Sequence, residues 1–211
     1  MLEYSEYLKI FVALLAVTNT LGAISAFITL TPGESIKARQ KIAKIASFST
    51  TLILLVALVA GEWILAIFGI SVSSFRVGGG ILILLMAISM LQSELSPTIQ
   101  TKEEAEESNR KPDIAIVPLA TPLLAGPGGI STVVLEAHKG TDWGHEGLIS
   151  LAIVAVGACI WSAFHLAPLI SQRLGKTGIN IFTRIMGLIL AAVAVEFIAN
   201  GLKGLFPTLA G

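Results

Sequence analysis

Six stretches of this 211-residue chain are apolar over the length of a membrane crossing: residues 8–30, 42–61, 75–91, 114–135, 148–170 and 179–202. A spanning helix needs about 20 mostly apolar residues. In hydrocarbon, each backbone N–H and C=O must find its partner inside the protein, and runs of this kind meet that demand as helices. Composition agrees: 54% of residues are hydrophobic and 13% charged, whereas a soluble domain carries about 25% charged residues. The chain therefore reads as an all-α integral membrane protein with six transmembrane helices. A formal net charge of zero argues against nucleic acid as a partner. The lone Cys159 sits in an apolar run and has no second cysteine to pair with. Glu3 and Glu6 precede the first apolar stretch, unlike the basic start of a cleaved signal peptide.

The one long polar stretch, 92–113, holds "TKEEAEESNRKPD" and reads as a solvated linker between two halves, 1–91 and 114–211. Orientation follows from basic residues flanking the stretches, because acidic residues contribute little. One side holds nine: Lys37, Arg39, Lys41, Lys44, Lys102, Arg110, Lys111, Arg173 and Lys176. The other holds four: Lys9, Arg76, Lys139 and Lys203. With six crossings, the linker lies in the cytoplasm and both termini lie outside it, in the cytoplasmic (inner) membrane.

The halves carry traces of a repeat. "FRVGGGILIL" and "TRIMGLILAA" align without gaps, pairing Arg76 with Arg184 and Gly79 with Gly187. The first stretch of each half is also interrupted, by "TNTLG" in one and "ATPLLAGPGG" in the other. Two halves of three crossings have opposite orientations, which is the arithmetic of an inverted repeat.

The interruption in the fourth stretch is severe. Pro118, Pro122 and Pro127 lie among Gly126, Gly128 and Gly129. Proline lacks an N–H and its ring collides with the carbonyl four residues back. A regular helix therefore stops here. Unpaired backbone at membrane depth survives only where it is buried in protein or lines a wet cavity. A half-helix N-terminus offers free N–H groups and partial positive charge to a carboxylate, and the freed carbonyls offer the reverse to an ammonium or a cation. In the first stretch, Thr18, Asn19 and Thr20 supply hydroxyls and an amide. The expected substrate site thus comprises Thr18, Asn19, Thr20, Gly22, Thr121, Pro122, Gly126, Pro127 and Gly128. A proline kink with small-residue packing is the plain alternative.

The stretch "IAIVPLATPLLAGPGGISTVV" resembles the signature of the MarC family of multi-pass inner-membrane proteins, which carry a P-L-A-x-P-x-x-A-G-P-G element. The resemblance extends through "FGISVSSFRVGGGI", "FTRIMGLIL" and "EFIANGL", nearly the whole chain. It implies six transmembrane helices, and some members are described as transporters of small neutral amino acids. The chain departs from the family in two places. The family usually has Asn-Pro where this chain has Asn19-Thr20, and often Gln near the position of Glu196.

Arg76 and Arg184 open matching segments, where snorkelling to the interface and a gating role are both open. Glu196 lies inside the last apolar stretch, where an ionised carboxylate is costly; coupling and a wetted structural acid are both open. His165 reads as a helix-packing residue. No H-E-x-x-H, G-x-S-x-G or pair of intramembrane carboxylates is present, which argues against an enzyme or a metal site. The expected function is secondary transport of a small zwitterionic amino acid, glycine- or alanine-like, with an ion or small-solute channel as the alternative. No cofactor is expected beyond a coupling ion, H⁺ or Na⁺. The lipid bilayer is an expected partner, and a homo-oligomer is left open.

Overall fold

A computed structural model of the chain describes residues 4–31, 33–92, 115–140 and 142–210. Among them, every regular element is helical. The first apolar stretch is divided between α1 (Tyr4–Val17) and α2 (Thr20–Leu30). α3 (Ile36–Ile67) and α4 (Val72–Gln92) are continuous. A π-helical segment (Ile116–Leu124) and α5 (Pro127–Ala137) divide the fourth stretch. α6 (Trp143–Leu205) takes the last two and turns at Gly175, where φ is 62° and ψ 179°. Four helices are long and apolar enough to cross a membrane: α3, α4 and the two arms of α6, Trp143–Ile170 and Asn180–Leu205. The predicted linker, with Lys102, Arg110 and Lys111, lies outside the described residues apart from Gln92.

The surface is the reverse of a water-soluble one. Val59, Trp63, Leu151, Leu188 and Val195 point outward, whereas Thr18, Thr50, Thr132 and His145 are buried. Apolar side chains cost nothing against lipid, so polar groups gather inside, where helices can pair them.

Local chemistry sets the element ends. Ser35 caps α3 by accepting from the Ala38 N–H at 3.2 Å, which satisfies one orphan donor of the first turn. Arg39 donates from Nε and Nη2 to the Thr31 carbonyl at 3.2 and 2.9 Å, tying the start of α3 to the end of α2. Two contacts fix how α1 and α2 lie along the first arm of α6. The Tyr7 hydroxyl meets His145 Nδ1 at 3.0 Å, and Phe27 stacks on Phe164 with centroids 4.6 Å apart. At 1.5 Å rise per residue, His145 and Phe164 are about 28 Å apart along the arm, close to the roughly 30 Å of a hydrocarbon core.

Glycine lets helices approach closely. Along α4 and the second arm of α6, which run antiparallel, Gly80 faces Ala194 and Ile198, Gly187 faces Ala87 and Met90, and Gly201 faces Ser73 and Val77. α3 and α5 run side by side in the same direction, with Gly129 against Leu54, Gly61 against Val134 and Glu62 against His138.

Candidate functional site

The first break is two residues long. Asn19 is the one non-glycine residue with positive φ (45°) among those described, and asparagine tolerates this left-handed region better than most residues. Its N–H reaches back to the Ala16 carbonyl at 3.0 Å and closes α1. Its own carbonyl accepts from the Ala23 N–H at 3.0 Å and opens α2. Thr18 donates to the Leu15 carbonyl at 3.2 Å and lies 3.4 Å from the Thr20 hydroxyl. Thr18 is 0% exposed, Asn19 7% and Thr20 6%, so this polar cluster is inside the protein. Gly22 falls in the first turn of α2.

The second break is built differently. Pro118 and Pro122 supply no N–H to the helical ladder, and the segment holding them winds as a π-helix, ending with the Ala125 N–H on the Ala120 carbonyl at 2.8 Å. Such wider turns recur at functional sites. Half-buried Thr121 lies within it. Gly126, buried and extended (φ −77°, ψ 176°), then leads into α5, and Pro127 takes the first helical position, where its missing N–H costs nothing. The first α5 bond is Ile130 N–H to the Gly126 carbonyl at 3.1 Å.

The two breaks meet. A methyl group added at Gly128 would sit 2.8 Å from Val17 Cγ1, at the end of α1, and 2.8 Å from Ile83 Cγ1 on α4. One added at Gly129 would lie 3.4 Å from Leu54 and 3.9 Å from Thr18. The start of α5 is therefore wedged against the end of α1, and a side chain at Gly128 would force Val17 and Ile83 aside. α1 has 14 residues and α5 has 11, so their inner ends lie about 21 and 16 Å from their outer ends. Both fall near mid-depth of the bundle.

Sequence reasoning overlooked two hydroxyls beside this junction. Thr132 donates to the Gly128 carbonyl at 2.8 Å. Ser131 is 2% exposed and lies against Gly79. The signal was their place one turn after Pro127, which puts them at the mouth of α5.

The charged candidates are elsewhere. Arg76 lies half-buried in the second turn of α4; Arg184 and Glu196 are exposed on the second arm of α6. Arg76 and Glu196 form no ion pair with each other among the described residues. His165 stacks with Trp161 one turn away on the same arm, 5.6 Å between ring centroids. A second polar knot closes the end of the bundle where α1 begins. His145, 1% exposed, contacts the Tyr7 hydroxyl through Nδ1 and the Glu136 carbonyl through Nε2 at 2.8 Å. A carbonyl only accepts, so Nε2 carries the proton and, in the neutral ring, Nδ1 accepts from Tyr7.

The description "MarC family integral membrane protein" matches residues 4–206. The chain belongs to the MarC family. A UPF0056 membrane protein of Buchnera aphidicola subsp. Acyrthosiphon pisum is 45% identical over 98% of this chain and 96% of its own length. UPF0056 membrane protein YhcE of Escherichia coli (strain K12) is 40% identical over 98% and 96%. UPF0056 membrane protein YvbG of Bacillus subtilis (strain 168) is 40% identical over 98% of each. No solved structure matches the chain.

Within the MarC resemblance, the missing proline at Thr20 has a structural reading. Thr20 is the first residue of α2, the helical position that proline favours. Proline there would remove no helical N–H bond, but it disfavours α-type backbone at the residue before it. With Asn19 at φ 45°, we therefore expect Thr20→Pro to lower the stability of this MarC-family protein. Asn19→Pro, which forces φ near −65° where the chain needs 45°, should lower it further. Thermal melting in detergent measures both; an Asn19→Pro protein as stable as the parent would contradict the left-handed backbone at Asn19.

Proposed function

We propose that this MarC-family protein is a secondary transporter of small neutral amino acids, with its substrate held where the two helix breaks meet. The observation that carries this reading is the seating of Gly128, at the start of α5, against Val17, at the end of α1. At one point near mid-depth, the N-terminal ends of α2 and α5 bring N–H groups and partial positive charge. The last turns of α1 and the π-helical segment bring the negative ends of their dipoles. A zwitterion has a carboxylate for the first set and an ammonium for the second. Broken helices at the interface of inverted repeats, with substrate at the midplane, are a recurring transporter design. Gly128, Gly129 and Thr18 stand at this junction among Val17, Leu54 and Ile83, a tight setting that favours glycine- or alanine-sized ligands over larger ones.

The same reading takes the chain as six crossings in two inverted repeats of three helices. Two features support it. α1 and α2 together accompany the first arm of α6 for about 28 Å, between Tyr7–His145 and Phe27–Phe164. In the register that pairs Gly79 with Gly187, Met90 pairs with Ile198. Ile198 lies against Gly80 and Met90 against Gly187, so each helix offers the other nearly the same patch, as across a two-fold axis. Single cysteines at Lys102 and Lys139 should then label from opposite sides of the membrane, with both termini outside the cytoplasm. Labelling from one side would end the inverted-repeat reading.

The binding test is a thermal-shift series on the purified protein with glycine, alanine and serine, because a ligand that binds only the folded state raises apparent stability. Asn19→Ala and Gly126→Leu should still fold and should lose the ligand-induced rise. Their unliganded melting points should be lower, because one puts alanine at φ 45° and the other adds a side chain at a buried position. If no amino acid shifts the parent protein, the substrate class is wrong. A steady single-channel current in place of saturable counterflow would make it a channel. Coupling to H⁺ through Glu196 is the remaining element. Glu196→Gln in liposomes should then no longer accumulate substrate against its gradient under an imposed pH gradient, whereas Na⁺ coupling through freed carbonyls would leave that variant active.

A further inference from the structure

We propose that α4 and the second arm of α6 form one rigid body that pivots against the rest of the bundle at Gly69 and Gly175, opening and closing the seam beside the helix breaks. The inference rests on the transporter reading for its purpose, and on four structural observations for its form.

The buried apolar side chains fall into two clusters. The larger draws on α1, α2, α3, the π-helical segment, α5 and the first arm of α6, with residues such as Leu14, Phe27, Leu54, Leu124, Val134 and Phe164. The smaller consists of Ile83, Ala87 and Met90 on α4, Leu190 and Ala194 on the second arm, and Val17 at the first helix break. Apart from Val17, the second cluster belongs to this one helix pair.

Within the pair, backbone touches backbone. A methyl group added at Gly201 would lie 2.9 Å from the Ser73 carbonyl oxygen and 3.0 Å from the Val77 nitrogen. At Gly80 it would lie 3.0 Å from the Ala194 carbonyl oxygen, and at Gly187 3.0 Å from that of Ala87. Contacts this close between main chains hold two helices in register, because neither can slide without unseating the other. Across the seam to the larger body the glycine contacts are with side chains: Ile83 lies over Gly128 beside Val17, and Ser131 lies over Gly79. Val72 and Phe75, at the start of α4 close to Gly69, pack against the larger cluster, and side chains can change rotamer or slide where backbone cannot.

The connections between the two bodies carry the third observation. α3 passes into α4 at Gly69, with φ of 64°, and the first arm of α6 passes into the second at Gly175, with φ of 62°. Added methyl groups at these positions would meet nothing within 4 Å. Space does not require glycine there; the left-handed backbone does. Such element-terminal residues absorb the φ/ψ change of a hinge. In the alignment that pairs Gly79 with Gly187, the two hinges fall at nearly equivalent places of the two halves.

Finally, the seam runs past the site. Val17 and Gly128 touch each other where the breaks meet, and Ile83 of the moving pair reaches Gly128 beside Val17. Displacing α4 therefore uncovers or covers the start of α5 and releases Val17 at the end of α1 from Ile83. That is the geometry alternating access needs: a held site, and one unit that rocks beside it.

The test measures distances, so it does not depend on knowing the substrate. In a Cys159→Ser background, spin labels are placed at the outward residues Ile81 and Ile189 for the pair within the body. Ile88 and Val59 serve for the pair across the seam, and distances are read by pulsed electron paramagnetic resonance in proteoliposomes, without and with glycine. Each labelled protein is first shown to melt like the parent. The expected result is one narrow distance for Ile81–Ile189 under both conditions, and two populations, or a shift with glycine, for Ile88–Val59. An Ile88–Val59 distribution as narrow as the other under both conditions overturns the proposal. So does an Ile81–Ile189 distance that splits, since the pair would then not be one body. Two populations that ignore glycine, in a protein whose melting no amino acid shifts, would uphold the two bodies and overturn the transporter reading alone.

Discussion

Phe27→Ala should lower stability by about 3–5 kcal/mol, the range for removing a buried aromatic side chain and leaving a cavity. Phe27 is 2% exposed, and its ring lies nearly parallel to that of Phe164, at 9° and 4.6 Å between centroids. Lipid tails cannot refill a hole that the bundle itself encloses, so the cavity term remains even in a membrane. The stacked pair adds about 0.5–1.5 kcal/mol beyond area burial. α2 has only 11 residues, a length at which a helix owes its stability to packing and little to propensity. The measurement is reversible unfolding in mixed micelles, with Phe27→Leu as the companion that keeps most of the volume. A loss below about 1 kcal/mol would mean that α2 is held elsewhere.

The second large effect concerns the glycines between α4 and the second arm of α6. Gly80→Leu and Gly201→Leu each drive a side chain into backbone: the Ala194 carbonyl and Ile198 nitrogen in one case, the Ser73 carbonyl and Val77 nitrogen in the other. Overpacking costs about 1–3 kcal/mol per site where side chains can give way. Backbone cannot, so the upper end is expected, and the double variant should lose the pair's register and fail to assemble. Gly78→Leu is the control, because an added methyl there meets nothing within 4 Å. Membrane-inserted yield and melting temperature read both. Equal tolerance of Gly78→Leu and Gly201→Leu would show that the helices do not pack as described.

Much of this architecture is legible in the sequence, because in lipid the length and polarity of a stretch largely decide its structure. The apolar stretch 75–91 became α4 at Val72–Gln92, and 148–170 became the first arm of α6 at Trp143–Ile170. α3 begins at Ile36, well ahead of residue 42, because Lys37, Arg39, Lys41 and Lys44 ride on a helix that an apolar count does not see. The breaks were legible for a related reason. Proline and glycine, and asparagine at positive φ, act on their own backbone, so their effect needs no knowledge of neighbours.

What was illegible depends on azimuth and on distance along the chain. Successive residues turn about 100° around a helix, so a stretch gives the depth of Glu196 but not the direction it faces, which is outward. Tyr7 and His145 are separated by 138 positions, and nothing local announces their pairing. Ser131 against Gly79 is the same case. The π-helical winding at Ile116–Leu124 was beyond a reading that could say only that a regular helix stops there.

The way α1 and α2 are held has a mechanical consequence. Tyr7, in the first turn of α1, is bonded to His145, and Phe27, in the last turn of α2, is stacked on Phe164. Each half is thus pinned at its outer end, and the two inner ends meet at Asn19. A load applied at mid-depth is thus shared between a hydrogen bond at one end of the bundle and an aromatic stack at the other.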